Sequence, residues 1–167
     1  MATDPLATTL STIIADYENA IHANALVTLM NEYACHPMGG GKALDLEVQK
    51  KLPAALAAHP DAFSILVFKK NKAVGLANCF VGFSTFKCKP LVNIHDVIVS
   101  ASTRGEGIST LLLDHIEQIA REKNCCKLTL EVLEGNIRAQ KAYQKFGFDA
   151  YELKPEHGKA LFWEKPL

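Results

Sequence analysis

Ile94-His95-Asp96-Val97-Ile98-Val99, Arg104-Gly105-Glu106-Gly107-Ile108-Ser109 and Leu128-Thr129-Leu130-Glu131-Val132-Leu133 decide how this chain folds. The outer two are strand-length runs rich in β-branched and apolar residues; the middle one is a glycine turn that opens onto a helix. That helix carries Ile108, Leu111, Leu112, Ile116, Ile119 and Ala120 at spacings of three and four, a stripe that belongs against a sheet. A second, shorter helix is expected over residues 136–146, with Asn136 as its N-cap and Gly147 just past its end. The stretch therefore reads as strand, turn, crossover helix, strand, helix.

Working outward, residues 10–15 (LSTIIA) read as a short first strand. A helix follows Asn19, with Ile21, Ala25, Leu29 and Tyr33, flanked by Leu26 and Met30, as its buried face. It must stop near Cys35-His36-Pro37, because proline disfavours helical geometry in the residue before it. Gly39-Gly40-Gly41 gives a flexible link. A second helix starts near Asp45 or Leu46, carries Val48, Leu52 and Leu56, and is either kinked or split by Pro53. From Ala62 the period becomes that of strands: residues 63–68, a polar turn at 69–72, and a long strand over 73–83. Gly75 and Gly82 in that strand suggest bulges or close backbone approach, and residues 84–90 form a loop. Leu161-Phe162-Trp163-Glu164 is expected as a last strand. The order β-α-α-β-β-β-α-β-α-β predicts an α/β fold, one domain over residues 1–167, with a mixed and mostly antiparallel sheet.

Bulk properties narrow the function. The 167 residues suit one domain with a sizeable core. Eighteen basic and 18 acidic side chains leave no global field to attract nucleic acid or an anionic membrane. The opening Met1-Ala2-Thr3-Asp4-Pro5 lacks the pattern of a secretory leader, and no apolar run is long enough to cross a bilayer. The expectation is a soluble, cytoplasmic protein. Cys35, Cys79, Cys88, Cys125 and Cys126 lack the paired C-x-x-C spacing of a zinc site, so no metal is expected, and they read as free thiols.

Residues 104–109 carry the first chemical signal. Glycine lets the backbone turn tightly and approach a ligand, while the helix that follows leaves its first N–H groups without partners. Those donors and the helix dipole favour a phosphate, although a turn that binds nothing would look the same. A P-loop is excluded because Gly-Lys-Ser/Thr occurs nowhere, and a dinucleotide fingerprint would need glycine where Thr110 stands.

The downstream segment, residues 136–148, follows N-x-x-A-x-x-x-Y-x-x-x-G-F. Together with R-x-x-G-x-(small) at the turn, it resembles the GNAT superfamily of acetyl-CoA-dependent N-acetyltransferases. That resemblance implies two neighbouring parallel strands that splay, with the pantetheine arm of the cofactor between them. Here they would be residues 95–99 and 128–133, the main chain of Val97, Ile98 and Val99 holding the arm. The pyrophosphate would rest on the turn formed by Arg104, Gly105, Glu106, Gly107, Ile108, Ser109 and Thr110, and Asn136 would touch the cofactor where the strands diverge.

The resemblance also implies an amine acceptor that attacks the thioester directly. Such a reaction needs a route for a proton off the ammonium, donors for the developing oxyanion, and an acid for the departing thiolate. Tyr143 occupies the motif tyrosine and is the expected acid. Glu131 resembles the basic carboxylate of ribosomal-protein N-terminal acetyltransferases, with a water-ordering role as its alternative. His95-Asp96 resembles the acidic-Asp pair of polyamine acetyltransferases, in which Asp96 would anchor a cationic amine and His95 would pass a proton through water. Alternation along a strand implies that only one of the two faces the acceptor.

Two departures from the pattern stand out: Ser109 where relatives have Gly or Ala, and Glu106 where they carry a neutral or basic residue. They motivate an alternative, a catalytically inactive CoA-binding sensor or interaction module. Transfer of a longer acyl group is a third reading. Acceptor contacts are implied for residues 36–41 and 83–87, with Phe83 and Phe86 lining an apolar slot beside Asp96 and Glu131. Dimers are common in the superfamily, so the resemblance admits a homodimer.

Overall fold

Among the described residues five strands pair in chain order, and all but the last pairing are antiparallel. The computed structural model describes residues 10–151, 154, 156, 158 and 160–167, which fall into two compact units, one ending at Leu130 and one starting at Glu131. The first unit holds β1 (Leu10–Ile14), α1 (Ala20–Cys35), α2 (Leu46–Ala58), β2 (Ala62–Lys69), β3 (Lys72–Ser84), β4 (Lys89–Val99), α3 (Ile108–Glu122) and β5 (Leu128–Leu130). The second holds α4 (Ile137–Phe146). The α/β class and the mixed, mostly antiparallel sheet are as the sequence implies.

Local chemistry accounts for most boundaries. Asn19 Oδ1 accepts the N–H groups of Ile21 and His22 and so caps α1, which ends one residue before His36-Pro37. Lys70 and Asn71, both at positive φ (48° and 64°), make the two-residue turn that returns β2 into β3. Pro53 lies inside an α2 that is continuous over 13 residues, so the segment is one helix rather than two.

Helices cover both faces of the sheet. On one, Leu26 and Leu29 of α1 and Leu56 of α2 meet Leu66, Leu76 and Ile98. On the other, Ile108, Leu112, Leu113, Ile116, Ile119 and Ala120 of α3 are buried. Leu113 belongs to that stripe although its spacing did not single it out, and Leu111 is only half-buried. Because the sheet is covered twice, Ser64, Ile65, Leu66 and Val67 of β2 are all buried instead of alternating.

Gly75 marks a close approach. A Cβ there would lie 2.5 Å from Ile108 Cγ2, so the first residue of α3 sits directly on the β3 backbone. A register shift in the β2–β3 pairing also falls at Val74, beside Gly75, whereas Gly82 has only ordinary contact with Leu91 and lies in regular pairing.

Three expectations need correction. Ile21 is 68% exposed, because α1 turns its Ala25-Leu26-Leu29 side inward and leaves its first turn at the rim. The strand expected over residues 128–133 ends at Leu130: β5 pairs with β4 only from Val92/Leu128 to Ile94/Leu130. Residues 161–164 form no strand; the second unit has no strand among its described residues to pair with them, and Leu161, Phe162 and Trp163 are exposed.

Candidate active site

The parallel pairing of β4 stops at Ile94, yet β4 runs on to Val99. Beyond that point its other edge stays paired with β3: Asn78 with Asp96, Ala77 with Val97, Leu76 with Ile98 and Gly75 with Val99. Among the described residues no strand pairs with the outer edge of residues 95–99, so the backbone polar groups aimed that way are left for another partner.

A bulge sits where the pairing ends. Asn78 opposes Asp96 while Cys79 opposes Ile94, which leaves His95 as the extra residue on β4. This overturns the expectation that His95 and Asp96 face opposite ways. The His95 ring stands edge-on to Phe80 at 5.6 Å, and Asp96 Oδ2 accepts from Asn78 Nδ2 at 3.0 Å. Asn78 and Phe80 are two residues apart on β3, so both side chains of the pair lie over one face. His59 meets the same Phe80 edge-on at 5.1 Å.

The strand then leads into the glycine turn through a short 3-10 turn, Ala101–Thr103. Glu32 of α1 clamps this approach by accepting the Ala101 N–H at 2.9 Å and the Ser100 hydroxyl at 3.1 Å. No sequence pattern pointed to Glu32, which lies on α1 far from the turn in the chain. Gly105 (φ 91°) and Gly107 (φ 81°) both need the left-handed region, and nothing lies within 4 Å of a Cβ built on either. Gly107 caps α3 without a side chain, and the N–H groups of Ile108, Ser109 and Thr110 meet no protein acceptor among the described residues. An open, uncapped N-terminus on a 15-residue helix suits a phosphate group.

Each turn residue has a distinct environment. Arg104 and Thr110 are exposed and Ser109 is half-buried. Ile108 contributes only backbone, because its side chain is packed under the helix against Gly75. Glu106 Oε2 is held 2.6 Å from Lys69 Nζ, which neutralises the charge that looked unsuited to a phosphate turn. Val97 and Val99 are half-buried and Ile98 is buried in the α1 face.

Two buried or half-buried acids share the region of Asp96. Burial, then the nearby Asp96 carboxylate, pushes the Cys79 thiol and the Tyr33 phenol above their usual values. Burial likewise raises Tyr17, against the lowering effect of its hydrogen bond to Ser64. Phe83 and Phe86 are exposed (60% and 99%) and line no slot among the described residues of the first unit, because the β3–β4 hairpin carries them out beyond the covered part of the sheet.

In the second unit, Asn136 Oδ1 caps α4 by accepting the Ala139 N–H at 3.3 Å, which leaves its Nδ2 as the remaining donor. Gln140 Nε2 donates to the carbonyls of Leu133 (3.1 Å) and Glu134 (2.6 Å), holding the segment before the helix. Glu131 is exposed and lies one residue past the end of β5. Tyr143 is half-buried, its ring 5.9 Å from Phe148 in an edge-on contact that closes over the Gly147 C-cap. Gly147 (φ 108°) and Phe148 both donate backbone bonds to the Tyr143 carbonyl, the usual ending for a helix stopped by glycine.

Residues 26–148 match the profile of the Acetyltransferase (GNAT) family. The chain belongs to that family. The matched range takes in the GNAT turn, the bulged β4 and α4 alike. Thialysine N-epsilon-acetyltransferase of Bos taurus is 31% identical over 89 residues, 53% of this chain and 51% of that protein. The chain thus matches about half the length of this curated relative. Among solved structures, an integron cassette protein from the mobile metagenome of V. cholerae is 25% identical with a TM-score of 0.73, covering 94% of this chain and 93% of its own. An aminoglycoside N-acetyltransferase in complex with CoA has a TM-score of 0.74 at 16% identity, covering 99% and 100%; it shows the shared GNAT fold.

Proposed function

We propose that this protein moves the acetyl group of acetyl-CoA directly to a primary amine. The observation that carries the reading is the Gly105–Gly107 turn, where three helix N–H groups that meet no acceptor among the described residues follow an edge of β4 that no described strand pairs with. The N–H groups of Gly105 and of residues 107–110 would hold the pyrophosphate, that of Glu106 being donated to the Thr103 carbonyl, and the backbone of Val97, Ile98 and Val99 would pair with the pantetheine arm as a missing strand would. When bound, acetyl-CoA supplies an acetyl group activated as a thioester. Tyr143 donates the proton that the departing thiolate needs. Asp96 or Glu131, with His95 and water, accepts the proton that the attacking ammonium must lose. The bulge supports a shared role for His95 and Asp96, since it turns both to one face.

A small cationic amine or a peptide amine is the acceptor class this arrangement favours. The Bos taurus relative, named for an amine substrate, supports the same class. The sensor alternative loses one of its two motives, because Lys69 already balances Glu106. Calorimetry with acetyl-CoA, followed by a thiol-release assay against polyamines, amino acids, aminoglycosides and peptides, tests the reading. Micromolar binding with turnover on at least one amine is expected, and binding without turnover on any would return the sensor. Tyr143→Phe should lower kcat by about 10²-fold or more, with little change in acetyl-CoA affinity. Unchanged kcat across the pH range would remove Tyr143 from the chemistry.

A further inference from the structure

Four side chains form a hydrogen-bonded row that crosses the sheet and ends on Asp96. Ser64, Asn78 and Asp96 occupy matched register positions on β2, β3 and β4. Tyr17, in the segment before α1, adds the far end. Its hydroxyl lies 2.8 Å from Ser64 Oγ, Ser64 Oγ donates to Asn78 Oδ1 at 2.6 Å, and Asn78 Nδ2 donates to Asp96 Oδ2 at 3.0 Å. Asn78 Nδ2 also lies 3.2 Å from Met30 Sδ of α1.

The direction of the row follows from its ends. An ionised carboxylate only accepts, so Asn78 must present its NH2 to Asp96 and its carbonyl oxygen to Ser64. The single Ser64 proton is then committed to Asn78, and Tyr17 must donate to Ser64. Flipping the Asn78 amide would break its bonds to Ser64 and to Asp96 at once. Ser64 is 0% and Asn78 3% exposed, so water cannot stand in for a lost partner. Apolar residues at both positions would pack between Leu66, Leu76 and Ile98 with less desolvation, so the row is not what stability alone would select.

What the row achieves is the placement of one charge. Asp96 Oδ2 is taken by Asn78, while Oδ1 has no hydrogen-bond partner and Asp96 no cationic partner among the described residues. A half-buried carboxylate with one oxygen anchored and the other open is prepared for a cation. We infer that Asn78, oriented by Ser64 and Tyr17, is the positioning residue that aims the Asp96 carboxylate at the positive charge of the amine acceptor. This inference rests on the amine-acetylation reading above.

The test is a double-mutant cycle on Asn78→Leu and Asp96→Asn, read with 1,3-diaminopropane and spermidine as acceptors. In the wild-type background Asn78→Leu should raise the acceptor KM about tenfold, change kcat less than threefold, and leave acetyl-CoA affinity unchanged by calorimetry. In the Asp96→Asn background the same substitution should add less than a twofold effect, because nothing remains to be aimed. Tyr17→Phe and Ser64→Ala, smaller deletions, should raise the acceptor KM severalfold in the wild-type background only. An equal KM effect of Asn78→Leu in both backgrounds, or a loss confined to thermal stability, overturns the inference. If the wild type acetylates neither of these two amines, the functional reading is judged separately by the wider amine panel, and the cycle is read from spermidine binding by calorimetry. There Asn78→Leu should bind about tenfold more weakly than wild type and the double variant no more weakly than Asp96→Asn. No such difference, including no binding by the wild type, overturns the inference as well.

Discussion

Placing a methyl group on Gly75 should drive the start of α3 off the sheet. The added Cβ would meet Ile108 Cγ2 at 2.5 Å, with Val67 Cβ at 3.3 Å and Leu112 Cδ1 at 3.4 Å on either side. Carbon atoms settle near 3.5–4.0 Å, so Ile108 must retreat by ~1 Å. Rotation offers no escape, because Ile108 is 1% exposed and has no free space to turn into. Overpacking of this kind costs ~1–3 kcal/mol, and the reduced freedom of the unfolded chain returns ~0.4–1 kcal/mol. A net loss of ~1–2 kcal/mol should lower Tm by roughly 2–8 °C for a chain of this size. Because Ile108 is also the first residue of α3, acetyl-CoA should bind severalfold more weakly as the N–H donors of residues 108–110 move with it. The clean readout is a cycle with Ile108→Ala, which by itself removes Cγ2 and should cost ~2–5 kcal/mol. Urea unfolding of the four proteins should show the double variant at least ~1 kcal/mol more stable than additivity allows. Strict additivity, or a Gly75→Ala protein as stable as wild type, would refute the claim that this contact seats the helix.

Three other outcomes follow from particular side chains. Lys69→Ala should leave stability within ~1 kcal/mol, since the ion pair is partly exposed, yet weaken acetyl-CoA binding severalfold by unmasking Glu106 beside the turn; equal affinity, measured by calorimetry, would place Glu106 away from the phosphate. Alkylation at pH 8 should spare Cys79, buried and with its thiol pushed well up, while Cys35 and Cys88 react, and denaturation should release the protected thiol. The same burial sets an alkaline limit. Tyr17 and Tyr33 (ordinarily 10.0) and Cys79 (ordinarily 9.0) all have raised values in the fold, so the folded state keeps protons that the unfolded chain sheds. Their contribution is whole below about pH 9 and is lost as the pH rises through the folded values, which urea midpoints taken from pH 8 to 11 would register.

Much of this architecture could be read along the chain because local rules and tertiary packing agree there. The α3 stripe, Asn136 as an N-cap, Gly147 as the C-cap and the Gly105–Gly107 turn each express a preference that acts within a few residues. Where the outcome depends on a partner distant in sequence, the chain alone misleads. Leu161-Phe162-Trp163 has the composition of a strand, but a strand exists only against another edge. Residues 131–133 continue the β pattern of β5, but pairing with β4 has already ended at Ile94. Ile21 keeps helical spacing with Ala25 and Leu29, yet α1 reaches the sheet only from its second turn onward.

The glycine turn shows the division best. The sequence by itself determined that residues 104–109 must turn and open a helix, because only glycine relieves the positive φ at 105 and 107 and the apolar period begins at once. Only the tertiary structure decided what stands around that turn. Glu32 reaches it from α1, Lys69 reaches Glu106 from β2, and Gly75 of β3 lets Ile108 sit down on the sheet. The same holds for Asp96: its place on a strand was legible, but one extra residue at His95 turned the pair to a single face, and Asn78 took hold of the carboxylate. Bulges and cross-strand hydrogen bonds are properties of register, and register is settled between strands rather than within them.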